Sequence, residues 1–228
     1  MQKKITVTMN KIDFLDKVDL STLLDIFLRN PFNEDKGVGF SKADIFEDVL
    51  EASLIKRTPT SLQEFDIKLG DFVQRNIYVF EEIHFCIDLQ NKLIYSFTSA
   101  AKLNKVKTSL KDFIPKKTIY ENIHLNPHRL MTSLSEKKFE FTINEIIIKN
   151  FIYKQGAKGK YTAQILKPQI GKELMDAYSE ELYKVTIDVS SSFYDDFTLT
   201  ISTNNTINIK STEEDSLLIL NEIKKQIQ

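Results

Sequence analysis

The chain has 228 residues, 42% of them apolar and 28% charged, with a formal net charge of −1 at pH 7. This is the composition of an ordinary globular protein, long enough for one large domain or two small ones. No apolar run approaches the roughly 18 residues that a transmembrane helix requires, and the single Cys86 excludes an internal disulfide and suits a reducing cytoplasm.

Met1-Gln2-Lys3-Lys4 leads straight into alternating Ile5, Val7 and Met9, which predicts a strand over about Lys3–Met9 rather than the apolar block of a signal peptide. Leu20, Leu23, Leu24, Phe27 and Leu28 then recur at three- and four-residue spacing, one buried face of a helix. Asp19 or Ser21 caps it, and Asn30-Pro31 ends it. After a glycine-punctuated loop, Ser41 is the expected cap of a second helix with Ile45, Phe46, Val49, Leu50 and Leu54 inward. Lys56-Arg57-Thr58-Pro59-Thr60-Ser61 has the composition of a linker.

Phe65, Ile67 and Leu69 alternate until Gly70-Asp71, and Ile77, Val79, Ile83, Phe85 and Ile87 carry strand periodicity onward. Asn91 marks a turn, Leu93, Tyr95 and Phe97 form the return strand, and a helix beginning at Thr98 or Ser99 buries Leu103, Val106, Leu110 and Phe113. Residues 115–138 show no sustained period beyond a short helix near Arg129–Leu134. Phe139, Phe141 and Ile143 alternate as a strand that runs on through IIIKNFIYK to a hairpin loop at Gly156 and Gly159, with Tyr161, Ala163 and Ile165 returning. Gly171–Lys184 reads as a helix, followed by a strand over Val185, Ile187 and Val189. A last hairpin, Leu199–Lys210, turns at Asn204-Asn205, and Ser211 with Glu214 forms a capping box for the final helix.

Two stretches echo each other. With Asn91 laid on Asn205, Ile87 meets Ile201, Leu93 meets Ile207 and Leu103 meets Leu217, so each copy is a hairpin feeding an amphipathic helix. The expected fold class is therefore α+β, with antiparallel sheets, two hairpin–helix units and an N-terminal helical pair. The expected division is an N-terminal part, 1–114, and a C-terminal part, 115–228, or one continuous domain.

Catalytic motifs are missing. There is no phosphate-cradling glycine loop, no Gly-x-Ser-x-Gly elbow and no Cys/His pair. His124 and His128 are four apart, but Pro127 keeps them off a shared helix face and no further ligand lies close by, so no metal site is expected. Tyr194-Asp195-Asp196-Phe197 reads as a turn stabilised by aspartates. A metal-dependent nuclease built on Asp195, Asp196 or Glu140 is the least favoured reading, and no catalytic residue and no cofactor are assigned.

Charge is uneven. Residues 101–170 carry 14 basic and 5 acidic side chains, whereas 171–228 carry 5 and 11. Such a basic stretch suits an anionic partner. Lys102 and Lys105 on the helix after the first hairpin, with Lys154, Lys158 and Lys160 at the glycine-bearing hairpin tip, are the expected nucleic-acid-binding residues. Arginine is scarce, which argues against reading of base sequence.

The run FCIDLQNKLIYSFTSAAKLNKVKTSLKDFI, followed by HRLMTSLSEKKFEFTINE, resembles the core of the RdgC recombination-associated proteins and the related RexA phage-exclusion group. The matching residues are Ile87, Asp88, Leu93, Ser99, Ala100, Lys102, Met131, Thr132, Leu134 and Phe141. The resemblance implies a homodimeric, largely non-sequence-specific protein that binds double-stranded DNA in a phage, prophage or anti-phage setting. A protein-interaction module, such as an inhibitor or a defence-complex subunit without nucleic-acid contact, is the alternative. Both readings place the protein in the cytoplasm and away from membranes.

Overall fold

The computed structural model describes residues 2–114, 117–123, 125–136, 139–153, 156–192 and 194–227, with the backbone alone for Tyr153. In chain order these form β1 (Lys3–Phe14), α1 (Leu20–Leu28), β2 (Val38–Phe46), β3 (Val49–Asp66), β4 (Asp71–Asp88), β5 (Leu93–Ser96), α2 (Ala100–Phe113), β6 (Thr118–Asn122), α3 (Pro127–Glu136), β7 (Glu140–Tyr153), β8 (Ala157–Gln164), α4 (Pro168–Ala177), β9 (Leu182–Ser190), β10 (Phe197–Ser202), β11 (Thr206–Ser211) and α5 (Glu213–Lys224). No helix among the described residues is long and apolar enough to cross a membrane.

The chain divides into two compact units, one of residues 12–120 and the other of residues 1–11 with 121–228. In the first, β2, β3, β4 and β5 lie side by side, and the end of β1 follows β5 through the Ile12 amide, which donates to the Lys92 carbonyl at 2.9 Å. Helices α1 and α2 cover one face of this sheet. Leu50, Ala52 and Leu54 of β3 and Ile83, Phe85 and Ile87 of β4 meet Leu23 and Phe27 of α1 and Leu103, Val106 and Leu110 of α2 in a single core. Phe27 stacks on Phe40 with ring centroids 4.2 Å apart and meets Phe85 edge-on at 5.9 Å.

The helical pair expected at the N-terminus is absent: α1 is there, but Ser41–Leu54 is the β2–β3 hairpin. Its turn residues Glu47 and Asp48 both adopt positive φ, +47° and +62°, which is the two-residue geometry that matches strand twist. Leu50, Ala52 and Leu54 alternate inward, whereas Phe46, assigned to a helix core from its spacing, is 64% exposed. Five apolar residues within ten fit a helical period, and cross-strand pairing with Phe85 and its neighbours decided for the strand. The linker-like Lys56–Ser61 is likewise the middle of β3. Nor is the chain built of two hairpin–helix units: the stretches taken for them are parts of larger, mostly antiparallel sheets with five helices spread along the sequence.

The second unit orders its strands β1-β11-β10-β9-β7-β8, all antiparallel where their register is defined. Val185, Ile187 and Val189 of β9 and Leu199 and Ile201 of β10 are buried, as are Ile207 and Ile209 of β11. Helix α5 is capped by Thr212, whose hydroxyl accepts from the Asp215 amide at 3.3 Å, one residue later than expected. It buries Ile219, Leu220 and Ile223. Strand β8 is the sheet edge, and all but Ala163 of its residues are exposed.

Candidate functional site

The most unusual surface lies on β3 and β4. Each strand is 18 residues long, about three times the usual length of a strand. Only the rungs nearest β2 and β5 are covered by helices. Their pairing continues without a bulge from Leu50↔Ile87 to Asp66↔Asp71, so beyond Arg57↔Phe80 the two strands form an arm without a covering layer. Because side chains alternate between faces, the register sorts them. One face carries Thr58 with Val79, Thr60 with Ile77, Leu62 with Arg75 and Glu64 with Val73. The other carries Pro59 with Tyr78, Ser61 with Asn76, Gln63 with Gln74 and Phe65 with Phe72.

Nine large apolar side chains on this arm and its turn are 39–88% exposed, namely Leu62, Phe65, Ile67, Leu69, Phe72, Ile77, Tyr78, Val79 and Phe80. Local contacts shield only part of them. Phe65 and Phe72 meet edge-on at 5.3 Å, Phe80 meets Phe32 at 5.8 Å, and the Arg57 guanidinium lies 4.3 Å from the centre of the Tyr78 ring. At the tip, Asp66 Oδ1 accepts from the Lys68 and Leu69 amides at 2.8 and 3.3 Å, and Gly70, with φ of +67°, completes the turn. Alternation in the sequence located these strands. It did not show that the inward-reading residues of 58–79 have no layer to face, since an uncovered stripe and a core stripe have the same period.

The expected DNA-contacting lysines fall in different places. Lys102 and Lys105 lie on α2, and both reach Glu81 at the foot of the arm, at 3.3 and 2.6 Å. Those contacts, Lys105 foremost, hold the Glu81 carboxyl below the usual range. Lys107 is packed over the Tyr120 ring at 5.9 Å, and burial lowers its pKa. Lys158 and Lys160 lie on the exposed edge strand β8, in the other compact unit from Lys102 and Lys105. Lys160 approaches the Tyr183 ring at 5.3 Å, as does Lys149 at 3.8 Å. Lys154 lies outside the described residues. Of the tyrosines flanking the hairpin, Tyr161 stacks on Phe151 at 4.7 Å and is 39% exposed.

Of the acidic residues considered for a nuclease, Asp195 and Asp196 lie just before β10. Glu145 pairs with Lys184 at 2.7 Å and accepts from Gln164 at 3.2 Å, and Glu140 lies opposite Ser190 at the start of β7. His128 Nε2 lies 3.1 Å from Asp176 Oδ1, while His124 lies outside the described residues. No group of three or more metal-ligating side chains occurs among the described residues. No family model matches the chain, and no curated protein matches it.

Proposed function

We propose that this is a binding protein whose working surface is the β3–β4 arm, and that the arm docks against another protein. The observation that supports this most directly is the set of nine exposed apolar side chains on a two-stranded ribbon. Isolated ribbons of this kind are marginal in water, and large apolar side chains left exposed together on one element mark an interaction site. The arm's charges favour protein over nucleic acid. Beyond its foot it carries Arg57, Lys68 and Arg75 against Glu64, Asp66 and Asp71, and Arg75 is paired with Glu64 at 3.1 Å. A ribbon that enters a DNA groove needs a cationic excess to replace counterions. A photo-crosslinking side chain at Phe72 tests the proposal in cells, with Leu166, 93% exposed and away from the arm, as the control position. Protein adducts several-fold stronger at Phe72 are expected, and equal yields at the two positions, or adducts to nucleic acid alone, would discard the proposal.

A second reading, phosphate binding to duplex DNA as the RdgC-group resemblance implies, draws on the β7–β8 hairpin. Lys149, Lys158 and Lys160 form no ion pair among the described residues, and Lys158 and Lys160 alternate with Gly159 on an exposed edge. Affinity falls linearly with log salt in such binding, so the variant Lys158→Glu/Lys160→Glu is expected to lower the slope by about two. Absence of DNA binding at low salt eliminates this reading.

A further inference from the structure

Side chains on both faces of the arm are exposed where Ile77, Tyr78, Val79 and Phe80 follow one another, at 39, 58, 45 and 55%. Ile77 and Val79 stand on one face of the ribbon, Tyr78 and Phe80 on the other. A partner laid flat on either face would leave half of this run in water. The edge of β4 borders both halves at once.

That edge is open. Apart from its ladder with β3, β4 pairs among the described residues only with β5, at Cys86–Asp88. Two contacts fix which backbone groups turn outward. The Arg57 amide donates to the Gly37 carbonyl at 2.7 Å and so points away from β4. The His84 carbonyl accepts from Ser96 Oγ at 2.6 Å and so points away from β3. Arg57 lies opposite Phe80 in an unbroken register, and the outward groups alternate along an antiparallel pair. Gln74, Asn76, Tyr78 and Phe80 therefore present their N–H and C=O groups at the free edge. The next such amide toward the tip, that of Phe72, already donates to Asp71 Oδ1 at 2.7 Å.

Exposed strand edges ordinarily carry a device that blocks pairing. On the opposite edge of the arm, Pro59 occupies an outward position and has no N–H to offer. Edge strand β8 carries Lys158 and Lys160, and β2 has a bulge between Phe40 and Lys42. From Gln74 to Phe80, β4 has no proline, no lysine and no bulge. Its one charge there, Arg75, is paired with Glu64 at 3.1 Å.

Resting on the arm reading above, we propose that the arm is completed by strand addition: an extended segment of a different protein pairs with β4 over Gln74–Phe80 as a third strand. The chemistry of that segment follows from its neighbours. Beside Ile77–Phe80 it carries β-branched or aromatic residues on both faces, the side chains that make favourable cross-strand pairs. Asp71, Glu81 and Glu82 bracket the edge, and like charges across a rung are unfavourable, so the segment is free of acidic residues.

The test places proline at two register partners, Asn76 and Ser61, whose amides point outward on opposite edges of the arm. Each substitution removes one outward donor and spares the β3–β4 ladder. The photo-crosslinking side chain at Phe72 reads the result in cells on the whole chain. Asn76→Pro is expected to lower protein adducts about tenfold. Ser61→Pro, and Asn76→Ala with its amide kept, are expected to stay within about twofold of wild type. Mass spectrometry of the adduct is expected to place the crosslink in an acid-free segment of alternating apolar residues. Equal losses from the two prolines would overturn strand addition, as would a loss in Asn76→Ala that matches Asn76→Pro. A crosslink in a helix or an acidic segment would overturn it too, and an adduct of twice the chain's own mass would give the edge to a second copy. Strong wild-type adducts that Asn76→Pro leaves unchanged would remove strand addition and keep the arm as a docking surface. Wild-type adducts no stronger at Phe72 than at Leu166 would remove both.

Discussion

Glu81 is the residue at which two interpretations of the same lysines meet. Its carboxylate receives Lys105 and Lys102, so those side chains are engaged within their own unit before any external anion arrives. The Glu81 pKa is lowered from its ordinary 4.5. A depressed folded-state value means that the stabilisation is present above the unfolded value and is lost as pH falls through the folded one. Replacing Glu81→Gln is expected to cost about 0.5 kcal/mol at pH 7 after solvent screening. The difference from wild type should shrink as pH drops below about 4.5, and chemical denaturation at pH 7 and pH 3 measures it. A difference that grows toward acid would contradict the pairing. Asp19 makes the same point for a helix end: with Oδ1 accepting from the Thr22 amide at 2.7 Å, its carboxyl is held down at about 2 by contacts with Thr22 and Ser21.

At the scale of the element, the β2–β3 turn carries an avoidable strain. Glu47 and Asp48 both occupy positive φ, which asparagine and glycine adopt more readily. The double substitution Glu47→Asn/Asp48→Gly is therefore expected to stabilise the protein by about 1 kcal/mol, read as an upward shift of the urea midpoint. A lower midpoint would show that the turn depends on its present side chains. Gly39 has no such latitude. A Cβ there would lie 2.4 Å from the Pro31 carbonyl oxygen, because the Phe32 amide donates to the Phe40 carbonyl at 3.0 Å and draws that segment against β2. Much of this was legible in the residues. The leucine spacing of α1, the lysine-bearing α2 and the β10–β11 turn at Asn205 all follow from local period and turn chemistry. The β2–β3 hairpin was not, because Ile45, Phe46, Val49, Leu50 and Leu54 satisfy a helical spacing and the turn residues Glu47-Asp48 carry no glycine or asparagine to betray a hairpin. The arm was legible as strands but not as a surface: whether Ile77 and Val79 are covered depends on where α1 and α2 end, which is a property of packing and not of local pattern.

At the scale of the whole molecule, residues 12–120 hold a complete core, with α1, α2 and five strands contributing to it. Expressed alone, this segment is expected to unfold cooperatively in urea, whereas residues 121–228 alone leave β11 without the partner it has in Lys3–Thr8 and are expected to aggregate or melt broadly. Coincident circular-dichroism and fluorescence transitions for the first segment would support the division; a gradual, probe-dependent melt would refute it.

The pairing of Lys3 with Ser211 and of Thr8 with Thr206 also sets an order of events during synthesis. Residues 3–8 leave the ribosome first, yet the strand they bind is made some two hundred residues later. At about 5–20 residues per second the segment 12–120 is fully synthesised several seconds before β11 emerges, and its contacts are all available by then. Residues 3–8 therefore wait for β11 while the segment that follows them in sequence is already folded, and the bonds of that pairing close only after some two hundred further residues have been made.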